Sequence, residues 1–446
     1  MRIVFYSTNS TVFHGDDVAI HSLPLRKSDW EALCRRYPQH EFCIATQPPG
    51  SFLVDMAGNE LGAQAAAVRC KMLHGESAGE IADEICAFEP DLAIAASFWT
   101  PPYDWLPLKD AMIAGLLRTR GIQTICHSAE TALCCFDKMR THALLERLGY
   151  PMPKAFFVDH ELFHCERRVK DIKANVYKEY ILSELQKLRY PVVIKDTLGL
   201  SSYSMEVAVS YRQAVAYLSS GRTNGDRLVE EFLEGEQFGT EIYGGNGSYR
   251  VMPPCIFSVN KYGITSPKQS VKIGPVTNER YRIPELQDML QALAKDLHFA
   301  GSAQVDLVFS KGSWHIIEIN PRLSGMTEMY AASLGISVPA LLLETVLGSL
   351  PDGGRLLPVM NFKLPIISEE EMAELAAIPF VCTVNQIHNK AAKQEREKGY
   401  AELILRSPGT GMEGLSQAFE LLAARFPQLM EPVFLSKARE LFKFHI

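Results

Sequence analysis

Along the first 126 residues, short apolar runs alternate with stretches whose apolar residues recur every three or four positions. Residues 3–7, 41–46, 92–97 and 124–127 are of the first kind and read as strands. Residues 30–37, 78–88 and 110–120 carry the helical period, the last closed by Gly121. Strands alternating with helices predict a parallel α/β sheet. A helix is expected over 138–148, ended by Gly149 and Pro151. The charge-rich stretch 163–188 reads as a solvated helix or insertion and not as a binding surface. Beyond it the pattern gives a strand (191–195), a Gly/Ser loop (197–204), a strand (205–209), a helix (211–219) and a strand (227–232). Further strands are expected at 239–243, 304–309 and 314–319. Pro351-Asp352-Gly353-Gly354 reads as a linker before a small α/β unit that ends in amphipathic helices. The expected organisation is four units: 1–126, 127–226, 227–350 and 351–446.

Composition narrows this picture more by exclusion than by assignment. At 446 residues the chain is too long for one ordinary core, and 47% apolar with 22% charged residues is the balance of a soluble globular protein. A net charge of −7 gives no basic footprint for nucleic acid, so none is expected as a partner. The ten cysteines form no CxxC pair and mostly sit in apolar segments, as thiols in a reducing compartment do. The apolar stretch 331–350 is interrupted by Pro339 and Glu344, which argues against a membrane span. A cytoplasmic protein is the expectation.

Three segments carry candidate chemistry. Residues 304–309 and 314–322 read as a hairpin over a tight turn at 310–313, and strand alternation can bring Asp306, Glu318 and Asn320 to one face. Two carboxylates and an amide oxygen are hard ligands suited to Mg²⁺ shared with phosphates. Each carboxylate interrupts an apolar strand, where an unpaired charge is costly. Lys195 ends an apolar strand, and the Gly/Ser loop after it, with Ser201 and Ser202, can direct N–H groups and hydroxyls at phosphate oxygens. Alone, a strand-ending lysine usually just keeps its ammonium in water. The segment 228–238 offers a strand edge for an adenine, with Glu230, Glu231, Leu233, Glu236 and Gln237 along it. The sequence Gly409-Thr410-Gly411-Met412-Glu413-Gly414 satisfies GxGxxG but lacks an evident second strand and reads as an accessory turn. Aromatic residues at 98–105 read as loop packing.

Taken in order, these segments resemble the ATP-grasp superfamily over roughly half the chain, from about Thr124 to Leu350. Asp137-Lys138 entering a helix that exits at Gly149-Tyr150-Pro151-Met152-Pro153 is similar to the family's first ATP-contacting lysine and its exit motif. The resemblance makes Lys195 the second phosphate lysine and Ser201-Ser202 the phosphate-covering loop. It makes Glu230, with Glu231 and the backbone of Leu233, the adenine clamp, and Glu236 or Gln237 the ribose contact. Asp306, Glu318 and Asn320 become the metal ligands and Arg322 the arginine of the Asn-Pro-Arg form. The implied fold is α/β: a parallel N-terminal domain, an ATP-grasp small (lid) subdomain over 127–226, a large subdomain over 227–350 and a C-terminal accessory domain.

Some segments are also similar to D-alanine–D-alanine ligase, but that family's arginine two residues before the first metal aspartate is here Gln304, and Arg322 has no counterpart there. The combination looks more like the amino-acid and dipeptide ligases. The resemblance therefore implies an ADP-forming ligase that activates a small-molecule carboxylate as an acyl phosphate and joins it to an amine. ATP and Mg²⁺, with Mn²⁺ as an alternative ion, are the implied cofactors, and a homodimer is allowed for. Arg322 and Lys268, the latter in a basic loop at 264–274 that also holds Lys272, are the candidate catalytic cations. The competing readings are a biotin-carboxylase-like or purine-pathway carboxylase and a non-catalytic ATP-binding regulator.

Overall fold

The computed structural model describes residues 1–8, 27–47, 68–97, 106–167, 169, 171–198, 205–220, 225–259, 271–348, 356–388 and 399–443. The N-terminal strands β1 (Arg2–Ser7), β2 (Glu41–Thr46), β3 (Arg69–Met72), β4 (Leu92–Ala95) and β5 (Gln123–Ile125) form a wholly parallel sheet in the order β3-β2-β1-β4-β5. The periodicity predicts this sheet except for its edge strand β3, whose sequence Arg69-Cys70-Lys71-Met72 is too short and polar to stand out.

A second, antiparallel sheet has β6 (Ala155–Val158), β7 (Val192–Asp196), β8 (Glu206–Ala208) and β9 (Arg227–Glu231) in the order β6-β9-β7-β8. Because β9 lies between β6 and β7, this small subdomain runs through Glu231, and the expected boundary at 226/227 would cut off a central strand. Within the charge-rich stretch, the helix Val176–Lys187 buries Ile181 and Leu185 against this sheet and leaves its polar side to solvent.

The third sheet has nine strands: β10 (Glu236–Gly245), β11 (Ser248–Val251), β12 (Cys255–Phe257), β13 (Val271–Gly274), β14 (Gly301–Ser310), β15 (Ser313–Asn320), β16 (Val359–Leu364), β17 (Val381–His388) and β18 (Gly399–Arg406). Its order is β15-β14-β10-β12-β13-β16-β18-β17, with β11 beside β10. The strands after residue 351 thus extend the same sheet through β13–β16 pairing. The C-terminal unit is separate in sequence but continuous with the large subdomain in hydrogen bonding. The GxGxxG segment follows β18 and precedes the helix Met412–Arg425, but both neighbours of β18 are antiparallel, so no βαβ unit forms. The apolar stretch after residue 325 resolves into two helices, Gly325–Leu334 and Val338–Leu347, bent by 80° and largely buried. No single described helix is long and apolar enough to cross a membrane.

Candidate nucleotide and metal site

The hairpin β14–β15 is built as its sequence requires. Ser310 pairs with Ser313 across a two-residue turn in which Lys311 and Gly312 have φ of 49° and 78°. Both signs suit the type I′ turn that matches strand twist, and glycine takes the second position without steric cost. A bulge between Asp306 and Leu307 then shifts the register by one residue and sets Asp306 opposite Glu318 and Gln304 opposite Asn320, so all four share one face. Gln304 Nε2 donates to Asp306 Oδ1 at 2.8 Å. Arg322 follows the hairpin and donates to Asn320 Oδ1 and to the Leu323 carbonyl, both at 3.2 Å.

Two lysines arrive from other elements. Asp137 caps the helix Lys138–Leu148, its carboxylate accepting from the Met139 N–H at 2.9 Å. This fixes Lys138 on the first turn, and the Lys138 N–H donates to the Thr197 carbonyl beyond β7 at 2.9 Å. The Lys138 ammonium lies 3.1 Å from Glu318 Oε1. Lys195, on β7, meets Glu230 Oε2 of β9 at 2.7 Å, and both side chains are buried.

The charges of this group hold one another. Burial alone would lower the Lys195 ammonium, yet Glu230, Glu318 and Asp306 outweigh it and keep its pKa above the ordinary value. Burial pushes Glu318 up, but Lys138, Lys195 and Arg322 more than offset this and hold it below the usual carboxylate range. Asp306 is pushed up to about 6 by burial and then by the charge of Glu318 across the hairpin. Two neighbouring carboxylates, one of them unwilling to ionise, plus an amide oxygen form a donor set that a hard divalent cation completes. The residues fit Mg²⁺.

Between the two antiparallel sheets lies a narrow cleft walled by Leu145, Met152, Leu228 and Ile316 and ending at Lys138, Glu230 and Glu318. An apolar slot with charged groups at one end suits a purine with phosphates attached. The sequence gives no periodic signal for these walls, because they come from a helix, a loop and two different sheets.

The clamp residues divide by strand alternation. The Glu230 carboxylate is occupied by Lys195, so what it offers in this state is a charge partner for that lysine. Glu231 points to the opposite face, where it accepts from Arg189 Nε at 2.9 Å and Nη2 at 2.7 Å. Leu233 follows β9 in the loop to β10 and is half-buried. Gln237 pairs with Val308, two residues before the Gly239–Asp306 pair, and so shares the face of Asp306. Glu236 lies on the other face, accepting from the Tyr281 hydroxyl at 3.0 Å and forming an ion pair with Arg280.

Ser201, Ser202 and Lys268 lie outside the described residues, as do the aromatic residues 98–105. Lys272 corrects the expectation of a loop over 264–274. It stands on β13, paired with Phe257 and with its ammonium 5.0 Å from that ring. Sequence reasoning missed Glu241. Fully buried on β10, it accepts from Ser324 at 2.6 Å, Thr327 at 2.8 Å and the Tyr243 hydroxyl, anchoring the segment just after Arg322. The signal was present: a glutamate inside an apolar strand, like Asp306 and Glu318.

A family model described as an ATP-grasp domain matches residues 135–326. Carbamoyl phosphate synthase arginine-specific large chain of Geobacillus stearothermophilus is 23% identical over 244 residues, which are 53% of this chain; the chain spans only 22% of that relative's length. Among solved structures, L-amino acid ligase from Bacillus licheniformis is similar with a TM-score of 0.63 at 16% identity, covering 95% of this chain and 97% of that one. N5-carboxyaminoimidazole ribonucleotide synthetase from Thermotoga maritima gives 0.60 at 14% identity, covering 94% and 97%. Residues 135–326 thus match an ATP-grasp domain, and the chain shares the fold of these ATP-grasp-like structures, with a parallel α/β domain before that segment and a C-terminal α/β unit after it.

Proposed function

We propose that the protein is an ATP-dependent carboxylate–amine ligase that forms an amide through an acyl phosphate and releases ADP and phosphate. The observation that carries this reading is the Asp306–Glu318 cross-strand pair, with Lys138 against Glu318 and Arg322 beside Asn320. The apolar cleft takes the adenine, and Gln237 on the metal face takes the ribose. Lys138 and Lys195 turn from their carboxylate partners to phosphate oxygens when nucleotide enters. Asp306, Glu318 and Asn320 would hold Mg²⁺, or Mn²⁺ on the same oxygen donors, which would supply positive charge against the phosphates. Arg322 stabilises negative charge where the substrate carboxylate meets the γ-phosphate, a task of placement and electrostatics more than covalent catalysis. Ser201, Ser202 and Lys268 are assigned by resemblance to covering the phosphates.

The test is ATP-dependent phosphate release, with mass detection of product, across amino acids and other carboxylates supplied singly and in pairs. Release that needs a carboxylate–amine pair is the expected result. Release driven by bicarbonate alone would transfer the reading to a carboxylase. Tight ATP binding with no release across the panel would favour a regulator.

A further inference from the structure

Strand alternation carries the metal face of the nine-stranded sheet well beyond the nucleotide. Asp306 pairs with Gly239, Gly239 with Cys255, and two residues on, Phe257 pairs with Lys272. Lys272 pairs with Asn361, and Lys363, two residues further, pairs with Glu402, which pairs with Asn385. Successive partners across a sheet share a face, so a polar stripe runs from the metal hairpin into the C-terminal strands. The helix Gly325–Leu334, which begins just after Arg322, lies over the same face and sends Glu328 down to it. Glu328 accepts from the Thr383 hydroxyl at 2.7 Å and from Asn385 Nδ2 at 3.4 Å.

Two atoms in this stripe are left over. Asn361 is 1% exposed, its Nδ2 donates to Glu402 Oε1 at 2.8 Å, and its Oδ1 has no hydrogen-bond partner among the described residues. Asn385 is 4% exposed, its Nδ2 faces Glu328, and its Oδ1 is likewise without a partner. Neither amide can relieve this by flipping, because its NH₂ would then leave a carboxylate and its oxygen would face one. A buried acceptor without a donor costs about 1–3 kcal/mol, so two on one stripe, both oriented by carboxylates, form a site that a donor completes.

We propose that this stripe is the substrate pocket of the same catalytic centre and that it selects a substrate bearing N–H donors, an amino or guanidino group, at the end remote from the reacting carboxylate. The two asparagine oxygens accept those hydrogens, and Glu328 and Glu402 supply negative charge beside the stripe's own Lys272 and Lys363. Lys272, between the stripe and Asp306, receives the carboxylate end of the same molecule. The proposal rests on the ligase reading only for the turnover of that molecule, not for its binding.

The test uses the 446-residue protein with Mg-ADP and compares lysine, ornithine and arginine with norleucine, which has lysine's four-carbon side chain without the nitrogen. Calorimetry is expected to give affinities for the nitrogen-bearing set about 10- to 100-fold tighter than for norleucine, the range of one or two charge-assisted hydrogen bonds. Asn361→Leu and Asn385→Leu should each erase most of that preference while leaving ADP affinity unchanged. Each substitution removes an unmatched acceptor but also the amide donor to Glu402 or Glu328, so a modest fall in melting temperature is expected, and affinities are compared well below the melting temperature of each variant, with unchanged ADP affinity as the check on folding. Binding without phosphate release would sustain the pocket and defeat the ligase reading. Equal affinity for norleucine and lysine, or variants that keep the preference, would overturn the pocket.

Discussion

The two antiparallel sheets that face the cleft handle buried charge in different ways. On the four-stranded sheet, Lys195 has Glu230 and Glu231 has Arg189. These pairs are made within one subdomain, although the Lys195 ammonium also faces Glu318 and Asp306 of the other sheet. On the nine-stranded sheet, Asp306 and Glu318 lie directly opposite each other, an arrangement that is destabilising for like charges. What offsets it comes from elsewhere in the chain: Lys138 on a helix, Lys195 on the other sheet, Arg322 past the hairpin. A balanced pair can be structural; an unbalanced pair that borrows its counter-charges is poised to exchange them for a cation and a polyphosphate.

The largest expected effect follows from breaking the unbalanced side. Glu318→Ala should lower ATP-dependent phosphate release by on the order of 10³ or more, since several kcal/mol of charge stabilisation depend on the metal. Glu231→Ala, the balanced counterpart, should leave turnover within about two-fold and cost roughly 1 kcal/mol of stability in a urea titration. Near-normal turnover in Glu318→Ala would sink the metal assignment. Next in size, Arg322→Ala should reduce kcat by about 10²–10³ with little change in ATP affinity, as removal of a transition-state charge does. A pure loss of ATP affinity would instead place Arg322 on the nucleotide.

The pH response sharpens the same contrast. Asp306, held near 6 in the folded chain against an ordinary 3.8, keeps a proton that the unfolded chain has released. Between those values the native state binds more protons than the unfolded one, so this group's contribution to stability falls as pH rises and stays low above about 6. Asp306→Asn should therefore raise the melting temperature of the metal-free protein at pH 7–8, by more than at pH 4, while abolishing turnover. A variant that melts lower at pH 8 would show that the carboxylate is already balanced.

What could be read in the sequence and what could not has a physical division. The two strands and their tight turn were legible from local pattern, but the turn's own register would set Asp306 opposite Ile317; a one-residue bulge beside Asp306, which no period-two pattern encodes, brings Asp306 opposite Glu318 and Gln304 opposite Asn320. Lys138 and Lys195 were legible in position, but not in partner, since Glu318 and Glu230 reach them from distant strands. The short strands β12 and β13 were not legible: three and four residues carry no periodicity, and Lys272 was therefore placed in a loop. The continuity of β16–β18 with the central sheet was hidden for a related reason. It depends on the pairing of β13 with β16 across more than eighty residues of intervening chain, and no local pattern encodes that.

The smallest effect tests the clamp, where two adjacent residues compete for one role. Alternation sets Gln237 on the metal face and Glu236 on the opposite face, against Arg280 and Tyr281. A ribose contact from Gln237 is one neutral hydrogen-bonding group, so Gln237→Ala should raise the KM for ATP by roughly 3- to 10-fold with kcat unchanged. Glu236→Ala should leave that KM alone and lower the melting temperature, because the Tyr281 hydroxyl beside the core of Phe238 and Trp314 loses its acceptor. The reverse pair of results would mean that the end of β10 twists enough in the nucleotide complex to bring Glu236 to the sugar. In that case Arg280 would be released, and the loss of its ion pair with Glu236 on ATP binding would make nucleotide affinity fall when Arg280 is retained and rise when it is replaced by alanine.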